Sequence, residues 1–396
     1  MILKLLTFSF LLFEVFSFGQ QWEQRANTPF TKDHGIGFSL NGFGYVLTGG
    51  ANGQVFTETK DFFKYDPVTD TWEQLPDYPG PNRGYGIGDT YDGKLYFGFG
   101  TDGFSFLNDL WEWDPATGIF TELPSCPCIG RVHPGLIADN GKVFMGAGGA
   151  SGNLNDWWEY DISSQNWTQK TSIPGPRHHP YQFAIDGDIY MGAGHLTTWY
   201  KFDVANNTWT QIASLSPARV AGAQFSYNGK GYALSGTDED HNRFTTGQFR
   251  EYDPIANTWT NLPDHPGTSR FAPTQFLIDD YIYLLGGYFR LNNSVSPETT
   301  MYRYQMGAVS TANIDENGGE LVGSVYPNPA TNELNIKLSQ ELSPNALINV
   351  YNLTGKLILS APFVQQLDIS ELTSGMYVID LIDEGANILR EKITKM

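Results

Sequence analysis

The segment Asn140-Gly141-Lys142-Val143-Phe144-Met145-Gly146-Ala147-Gly148, followed by Tyr160-Asp161 and then by Trp167, carries one copy of a pattern that runs along most of the chain. Asn-Gly is a tight-turn signal, because a two-residue hairpin needs positive φ at both central residues. The apolar run after it begins with an aromatic and ends four residues later on a glycine. That interval recurs at Tyr45 to Gly49, Tyr96 to Gly100, Tyr190 to Gly194, Tyr232 to Gly236 and Tyr283 to Gly287, which makes six units. An aromatic-Asp pair recurs with it at Tyr65-Asp66, Trp113-Asp114, Phe202-Asp203 and Tyr252-Asp253, and Tyr304-Gln305 is a degenerate sixth. Six residues beyond each Asp stands a large aromatic: Trp72, Phe120, Trp167, Trp209 and Trp259.

Counted from Trp22, the residues of this last slot lie 50, 48, 47, 42 and 50 apart. A fixed period of this length marks a repeat architecture, and each unit parses into four short strands, a to d. Strand a follows a loop containing Pro or Gly, as in residues 219–225. A turn such as Asp92-Gly93, Asp186-Gly187 or Asn228-Gly229 leads into strand b. Strand c ends at the aromatic-Asp pair, and strand d carries the Trp and ends near Leu-Pro, as at Leu75-Pro76, Leu123-Pro124 and Leu262-Pro263.

The glycine-ended strand, the Tyr-Asp-Pro turn and the Trp that follows resemble Kelch repeats over residues 21 to 306. The departures are Phe120 in a Trp slot, Gln305 in an Asp slot and single rather than paired glycines in several units. The resemblance implies an all-β chain whose residues 20–308 form a six-bladed Kelch-type β-propeller. Trp22 lacks strands a to c of its own, and the last unit lacks a Trp after Tyr304. The two fragments are expected to complete one blade, which would leave no open sheet edge.

Aromatics make up 14% of the 396 residues, with 43 glycines and 17% charged residues, a balance suited to many short strands and tight turns. A net charge of −19 argues against nucleic acid and anionic membrane surfaces as partners. Residues 1–19 read as a signal peptide cleaved before Gln20, with Lys4 at the start, a largely apolar Leu5 to Phe18, and Ser17 and Gly19 at the small-residue positions; Glu14 is the feature against it. No segment has the length of a membrane span. Cys126 and Cys128, the only cysteines, are read either as a small-ring disulfide or as two loop thiols.

Beyond a polar linker at 309–320, residues 321–396 change character. Val325-Tyr326-Pro327-Asn328-Pro329, the alternating run Leu334 to Leu338, the segment Ile348 to Leu357 and Ser374-Gly375-Met376-Tyr377-Val378-Ile379 fit a small β-sandwich. In this order they resemble the type A C-terminal sorting domain of the type IX secretion system of Bacteroidetes. The resemblance implies a transported address read by the secretion machinery and usually removed, with the cargo released or held at the cell surface. The alternative is a permanent accessory sandwich that binds a partner.

Candidate sites follow from register. Seventeen residues before each strand-b glycine stand Lys32, Arg83, Arg131, Arg177, Arg219 and Arg270, a cation at the start of strand a in every unit. Strand a is innermost in a Kelch blade, so these groups are expected to encircle one channel mouth and draw an anionic ligand such as an acidic glycan or peptide. The competing expectation is a scaffold role, with Asp61, Asp109 and Asp156 as partners. Two residues further on come His34, Tyr85, His133, His179, Ala221 and Ala272. Strand periodicity puts these on the same side as the cations. Three histidines invite a metal reading, but the first, third and fourth units do not all adjoin and ligand nitrogens must lie about 2 Å from a metal. No metal and no cofactor is therefore expected, and hydrogen-bonding or pH-sensitive roles are preferred. Asp238-Glu239-Asp240-His241 reads as a solvated acidic turn rather than a calcium loop. Phe56, Phe104, Phe106, Tyr288 and Phe289 fall in or beside the b-to-c loops, where they either stack on sugar rings or pack on neighbouring loops.

Among Kelch propellers, galactose-oxidase-like copper enzymes need a Cys cross-linked to a Tyr beside histidines, which two cysteines confined to one loop do not offer. The favoured function is a secreted or surface binding module for a glycan or peptide. The alternative is a carbohydrate-active enzyme of the mutarotase, epimerase or lyase kind, for which no carboxylate stands out.

Overall fold

The computed structural model of the protein describes residues 22–51, 57–291, 294–306, 324–338, 342–352, 357–373, 375–383 and 386–395. The proposed signal peptide, Phe56 and the linker 309–320 lie outside them. Among the described residues there are strands and turns but no helix.

Five four-stranded antiparallel sheets follow one another along the chain. The first is Ile36–Leu40, Phe43–Leu47, Phe62–Asp66 and Thr71–Leu75. The second is Ile87–Tyr91, Lys94–Gly98, Leu110–Asp114 and Ile119–Leu123. The third runs from Gly135–Asp139 to Asn166–Lys170, the fourth from Pro180–Ile185 to Thr208–Ile212, and the fifth from Ala223–Tyr227 to Thr258–Asn261. A sixth takes Thr274–Ile278, Tyr281–Leu285 and Met301–Gln305 from the end of this region and Trp22–Arg25 from its beginning. The arrangement is propeller-like.

The repeated residues have local physical roles. The a-to-b turns place Asn41, Asp92, Asn140, Asp186 and Asn228 at φ of 47 to 54°, each followed by a positive-φ glycine, which is the two-residue hairpin geometry. The Asp that ends strand c accepts backbone N–H groups of the next turn: Asp66 from Val68 (2.8 Å), Asp114 from Ala116 (2.8 Å) and Asp253 from Ile255 (2.8 Å).

The Trp slot joins one sheet to the next. Trp167 Nε1 donates to the carbonyl of Pro124 (2.8 Å), Trp209 to Thr171 (2.8 Å), Trp259 to Ala213 (3.0 Å) and Trp22 to Pro263 (2.8 Å). Each acceptor lies just beyond strand d of the preceding sheet, so a half-buried aromatic face and one directed hydrogen bond set the spacing between sheets. Trp72 of the first sheet turns in the same way to Ala26, which follows Trp22–Arg25 (3.5 Å). Phe120 keeps the ring but has no N–H to donate.

First strands lie beside first strands. Gln182 of the fourth sheet donates to the Leu136 carbonyl of the third (3.0 Å), and Gln275 of the sixth to Gln224 of the fifth (3.1 Å). Ser39 of the first sheet donates to the Leu277 carbonyl of the sixth. At Gly37 a Cβ would come within 2.2 Å of the Gln275 carbonyl oxygen, so only glycine permits this approach.

In the C-terminal region a four-stranded sheet, Leu347–Asn352, Leu357–Pro362, Gly375–Asp383 and Ala386–Lys395, shares a core with a three-stranded one, Ser324–Tyr326, Glu333–Lys337 and Gln366–Asp368. Leu334, Ile336, Ile348, Val350, Ile379, Leu381 and Ile393 are buried between them. Asn328 ties its Tyr-Pro-Asn-Pro turn to the last strand, donating to the Lys392 carbonyl (2.7 Å) and accepting from Thr394 N (2.8 Å). Cys126 and Cys128 are joined by a disulfide.

Candidate functional site

The residues two places beyond each cation share an unusual backbone. His34, Tyr85, His133, His179, Ala221 and Ala272 have φ of 51, 58, 52, 54, 51 and 46°, left-handed values that cost a non-glycine residue roughly 1–2 kcal/mol. Hydrogen bonds link these positions from sheet to sheet: His34 N to Ala272 O (3.1 Å), His133 N to Tyr85 O (3.1 Å), His179 N to His133 O (3.3 Å) and Ala272 N to Ala221 O (2.8 Å). The two alanines show that the conformation belongs to the scaffold. The histidines and the tyrosine are what this sequence has placed on it.

This left-handed step corrects the expectation that cations and histidines face the same way. Side chains alternate regularly only along extended backbone, and here the chain reverses φ before strand a begins. The side chains of His34, Tyr85, His133 and His179 line a cavity of about 1410 Å³ that runs along the first strands. Lys32, Arg83, Arg131, Arg177, Arg219 and Arg270 stand behind its wall, each no more than 3% exposed.

The buried cations hold the chain where it leaves strand b. Lys32 Nζ donates to Thr48 O (3.0 Å) and Thr59 Oγ1 (2.6 Å), and it pairs with Asp61. Arg83 grips Asp109 with both terminal nitrogens (2.9 and 2.5 Å), and Arg131 grips Asp156 in the same way (2.6 and 2.7 Å) while bonding Ala147 O (3.0 Å). These three carboxylates are the partners of the scaffold alternative. Where the equivalent residue is not an acid the contact is to carbonyls: Arg177 to Thr198 O (3.2 Å) and Arg270 to Thr300 O (2.8 Å). Arg219 Nε, Nη1 and Nη2 have no hydrogen-bond partner among the described residues, and its guanidinium lies 5.6 Å from the Phe244 ring centre. Burial lowers Arg177, Arg219 and Arg270 to about 10.

Six of the seven histidines form one connected cluster, and three of them line the cavity. His34, His133 and His179 come from the first, third and fourth sheets, yet each offers a ring nitrogen within 4.8 Å of the others. The objection that their units do not adjoin fails because side chains directed at a shared axis meet across it. His34 Nε2 lies 3.0 Å from His179 Nε2, and the rings of His133 and His179 are 3.3 Å apart. His34 Nδ1 contacts Asp33 Oδ1 at 2.5 Å, and His133 Nδ1 lies 2.6 Å from His178 Nε2. From His178 the series continues to His195 (6.1 Å between rings) and then to His241 (4.9 Å), whose ring meets Phe271 beside His34. Tyr85 closes the near side, 4.7 Å from His34 and 4.3 Å from His133.

Burial, reinforced by the neighbouring imidazoles, holds His133 and His179 well below their ordinary value and brings His178 to about 4. Burial likewise brings His241 to about 4. At neutral pH these four rings are uncharged and carry lone pairs.

His178, His195 and His241 escaped the register argument because they occupy no repeated slot; adjacency of His178 to His179 and of His195 to Gly194 was the available signal. The acidic turn that ends in His241 satisfies itself: Asp238 Oδ1 accepts from Asp240 N (3.0 Å) and Asn242 N (2.7 Å). Asp89 was also missed. It pairs with Tyr96 in the strand position that Phe38, Ile137, Phe183, Phe225 and Phe276 occupy elsewhere, so it is a carboxylate in an apolar slot. Its Oδ2 accepts from Ala138 N of the neighbouring sheet (2.9 Å), and burial raises it to about 7.

On the loop between Lys94–Gly98 and Leu110–Asp114, Phe104 is 97% exposed and Phe106 49%. Tyr288 instead stacks on Phe271 (4.9 Å between rings), and Phe289 is half-buried with Arg243 5.8 Å from its ring centre.

Fold and site together define an all-β protein of successive four-stranded sheets around a cavity lined in part by three histidines, joined to a two-sheet C-terminal region. That region identifies its own destination: residues 324–395 match the model of the secretion system C-terminal sorting domain. The protein is therefore a substrate of the type IX secretion route, destined for the cell surface or the medium. Among curated proteins no relative matches the chain.

Proposed function

We propose that residues 20–308 form a six-bladed Kelch-type propeller, closed by the strand Trp22–Arg25, that works outside the cell as a binding module for a glycan. Closure is supported by the sixth sheet, built from both ends of this region, and by Trp72 reaching Ala26 as the other tryptophans reach their preceding sheets. The observation that carries the binding reading is Phe104. A fully exposed Phe on the loop after Lys94–Gly98, in a sheet whose first strand lines the cavity, has no folding role, while its flat apolar face suits the C–H face of a sugar ring. A peptide ligand would use the same loop.

The second reading, a carbohydrate-active enzyme, is favoured by Asp89 beside the cavity. A carboxyl group that titrates near 7 can give or take a proton at neutral pH. Glycan-array binding followed by product analysis of the bound sugar separates the two. Binding without turnover supports the module, turnover supports the enzyme, and no glycan binding by either the wild type or Phe104→Ala removes both.

A further inference from the structure

We propose that His34, His133 and His179 form a binding site for one divalent first-row transition-metal ion of the zinc class on the cavity axis. This inference is independent of the glycan reading, since it rests on the three rings and their supports alone.

The donor set is right for such an ion. Three neutral imidazoles suit Zn²⁺, Cu²⁺ and Ni²⁺, and a three-histidine site that leaves a position open is a recurrent zinc arrangement. Nitrogens about 2.0–2.1 Å from a tetrahedral metal sit about 3.4 Å from each other. His34 Nε2 and His179 Nε2, 3.0 Å apart, are already near that separation, and one nitrogen of each ring falls within 4.8 Å of the others. Two lone pairs facing each other at this distance repel unless a proton or a cation lies between them.

The supports are also those of a metal site. Asp33, itself 4% exposed, accepts the Nδ1 proton of His34, which leaves the lone pair on Nε2 and turns it toward the axis. His178 holds Nδ1 of His133, while His133 Nε2, buried, has no hydrogen-bond partner among the described residues. A buried polar atom without a partner calls for an explanation, and a bound ion is one of the recognised ones. His179 would ligate through Nε2, so its buried Nδ1, which has no hydrogen-bond partner among the described residues, is the one support the site lacks. His178, His195 and His241 continue the row of imidazoles beside the three rings without supplying a ligand.

The test uses the full chain, freed of metal by a chelator and dialysed. Titration calorimetry with ZnCl₂ should find one equivalent bound with Kd below about 1 μM, and CoCl₂ should give the visible absorption of a nitrogen-ligated, four- or five-coordinate ion. His34→Gln, His133→Gln and His179→Gln should each abolish the cobalt spectrum and weaken Zn²⁺ at least a hundredfold, with unchanged circular dichroism. Asp33→Asn should keep the stoichiometry and weaken affinity about 10–100-fold, as loss of a support to a ligating histidine does. His241→Ala should keep both stoichiometry and spectrum. If one glutamine variant fails to fold, the other two still decide. Failure to bind Zn²⁺ tighter than 100 μM, or binding that survives all three glutamine substitutions, overturns the site. Either result leaves the glycan array to be judged by itself.

Discussion

Trp22 lies opposite Tyr304 in antiparallel register, their rings 5.2 Å apart, so the first described residue pairs with one of the last in the repeat region. Trp22 also meets Phe249 edge-on at 5.7 Å and donates to Pro263, which ties the same strand to the fifth sheet. Removing residues 20–27 is therefore expected to open a sheet edge and cause aggregation or early melting. Trp22→Ala, which keeps the strand, should cost up to about 3 kcal/mol. Thermal melts with light scattering check both, and a soluble deletion with an unchanged melting temperature would refute closure.

Arg131 and Arg219 occupy the same slot with opposite surroundings. Arg131→Ala leaves Asp156 without its guanidinium partner and should destabilise by about 3–5 kcal/mol, as breaking a buried pair does. Arg219→Met removes a guanidinium that has no hydrogen-bond partner among the described residues, and it should be neutral or stabilising. Urea denaturation of the two variants is the comparison. Equal losses would mean that Arg219 is as well satisfied as Arg131.

His265 gives the repeat region an acid-sensitive point. It is 2% exposed, donates to Pro266 O (3.0 Å) and accepts from Ser235 Oγ (3.0 Å), and burial, helped by Arg270, lowers it to about 3. The unfolded chain takes up this proton at about 6.5. Its stabilising contribution is thus complete above that pH and declines as pH falls from about 6.5 to 3, with a slope near 1.4 kcal/mol per unit. His265→Gln should flatten part of the slope in chemical melts between pH 7 and 4. An unchanged slope would place the proton uptake on other groups.

Phe104→Ala should change stability by less than about 0.5 kcal/mol, because the side chain is exposed. Under the glycan reading it should lower affinity at least tenfold. Surface plasmon resonance on array-identified glycans measures this, and unaltered binding would move the contact elsewhere.

Processing predicts a shorter mature protein. Under the proposed processing, material recovered from the cell surface or medium is expected to lack residues 1–19, as a signal peptide would, and 321–396, as a sorting address that is usually removed would. The ion pair of Lys392 with Asp279 joins the sorting region to the sixth sheet at 2.9 Å, with both side chains largely exposed, so its loss should barely alter the melting temperature of the repeat region. Intact-mass spectrometry settles the termini. A species still ending at Met396 would mean that the terminal region acts on the mature protein.

Local chemistry made much of the architecture legible in the residues alone. Asn-Gly and Asp-Gly turns, the Asp that caps the strand-c turn and the aromatic across from each Trp act over a few residues of chain, and they recur where the spacing placed them. Register also brought out His34, Tyr85, His133 and His179 as equivalent positions and named Asp61, Asp109 and Asp156 as partners for three cations. What spacing did not contain was direction. A left-handed residue before strand a turns the histidines to the cavity and leaves the cations behind the wall, and that φ is imposed by hydrogen bonds from neighbouring sheets. The meeting of His34, His133 and His179, and the addition of His178, His195 and His241, likewise needed the tertiary structure. Residues from non-adjacent units come together only when the sheets are set around one axis, and no interval along the chain measures the distance across it.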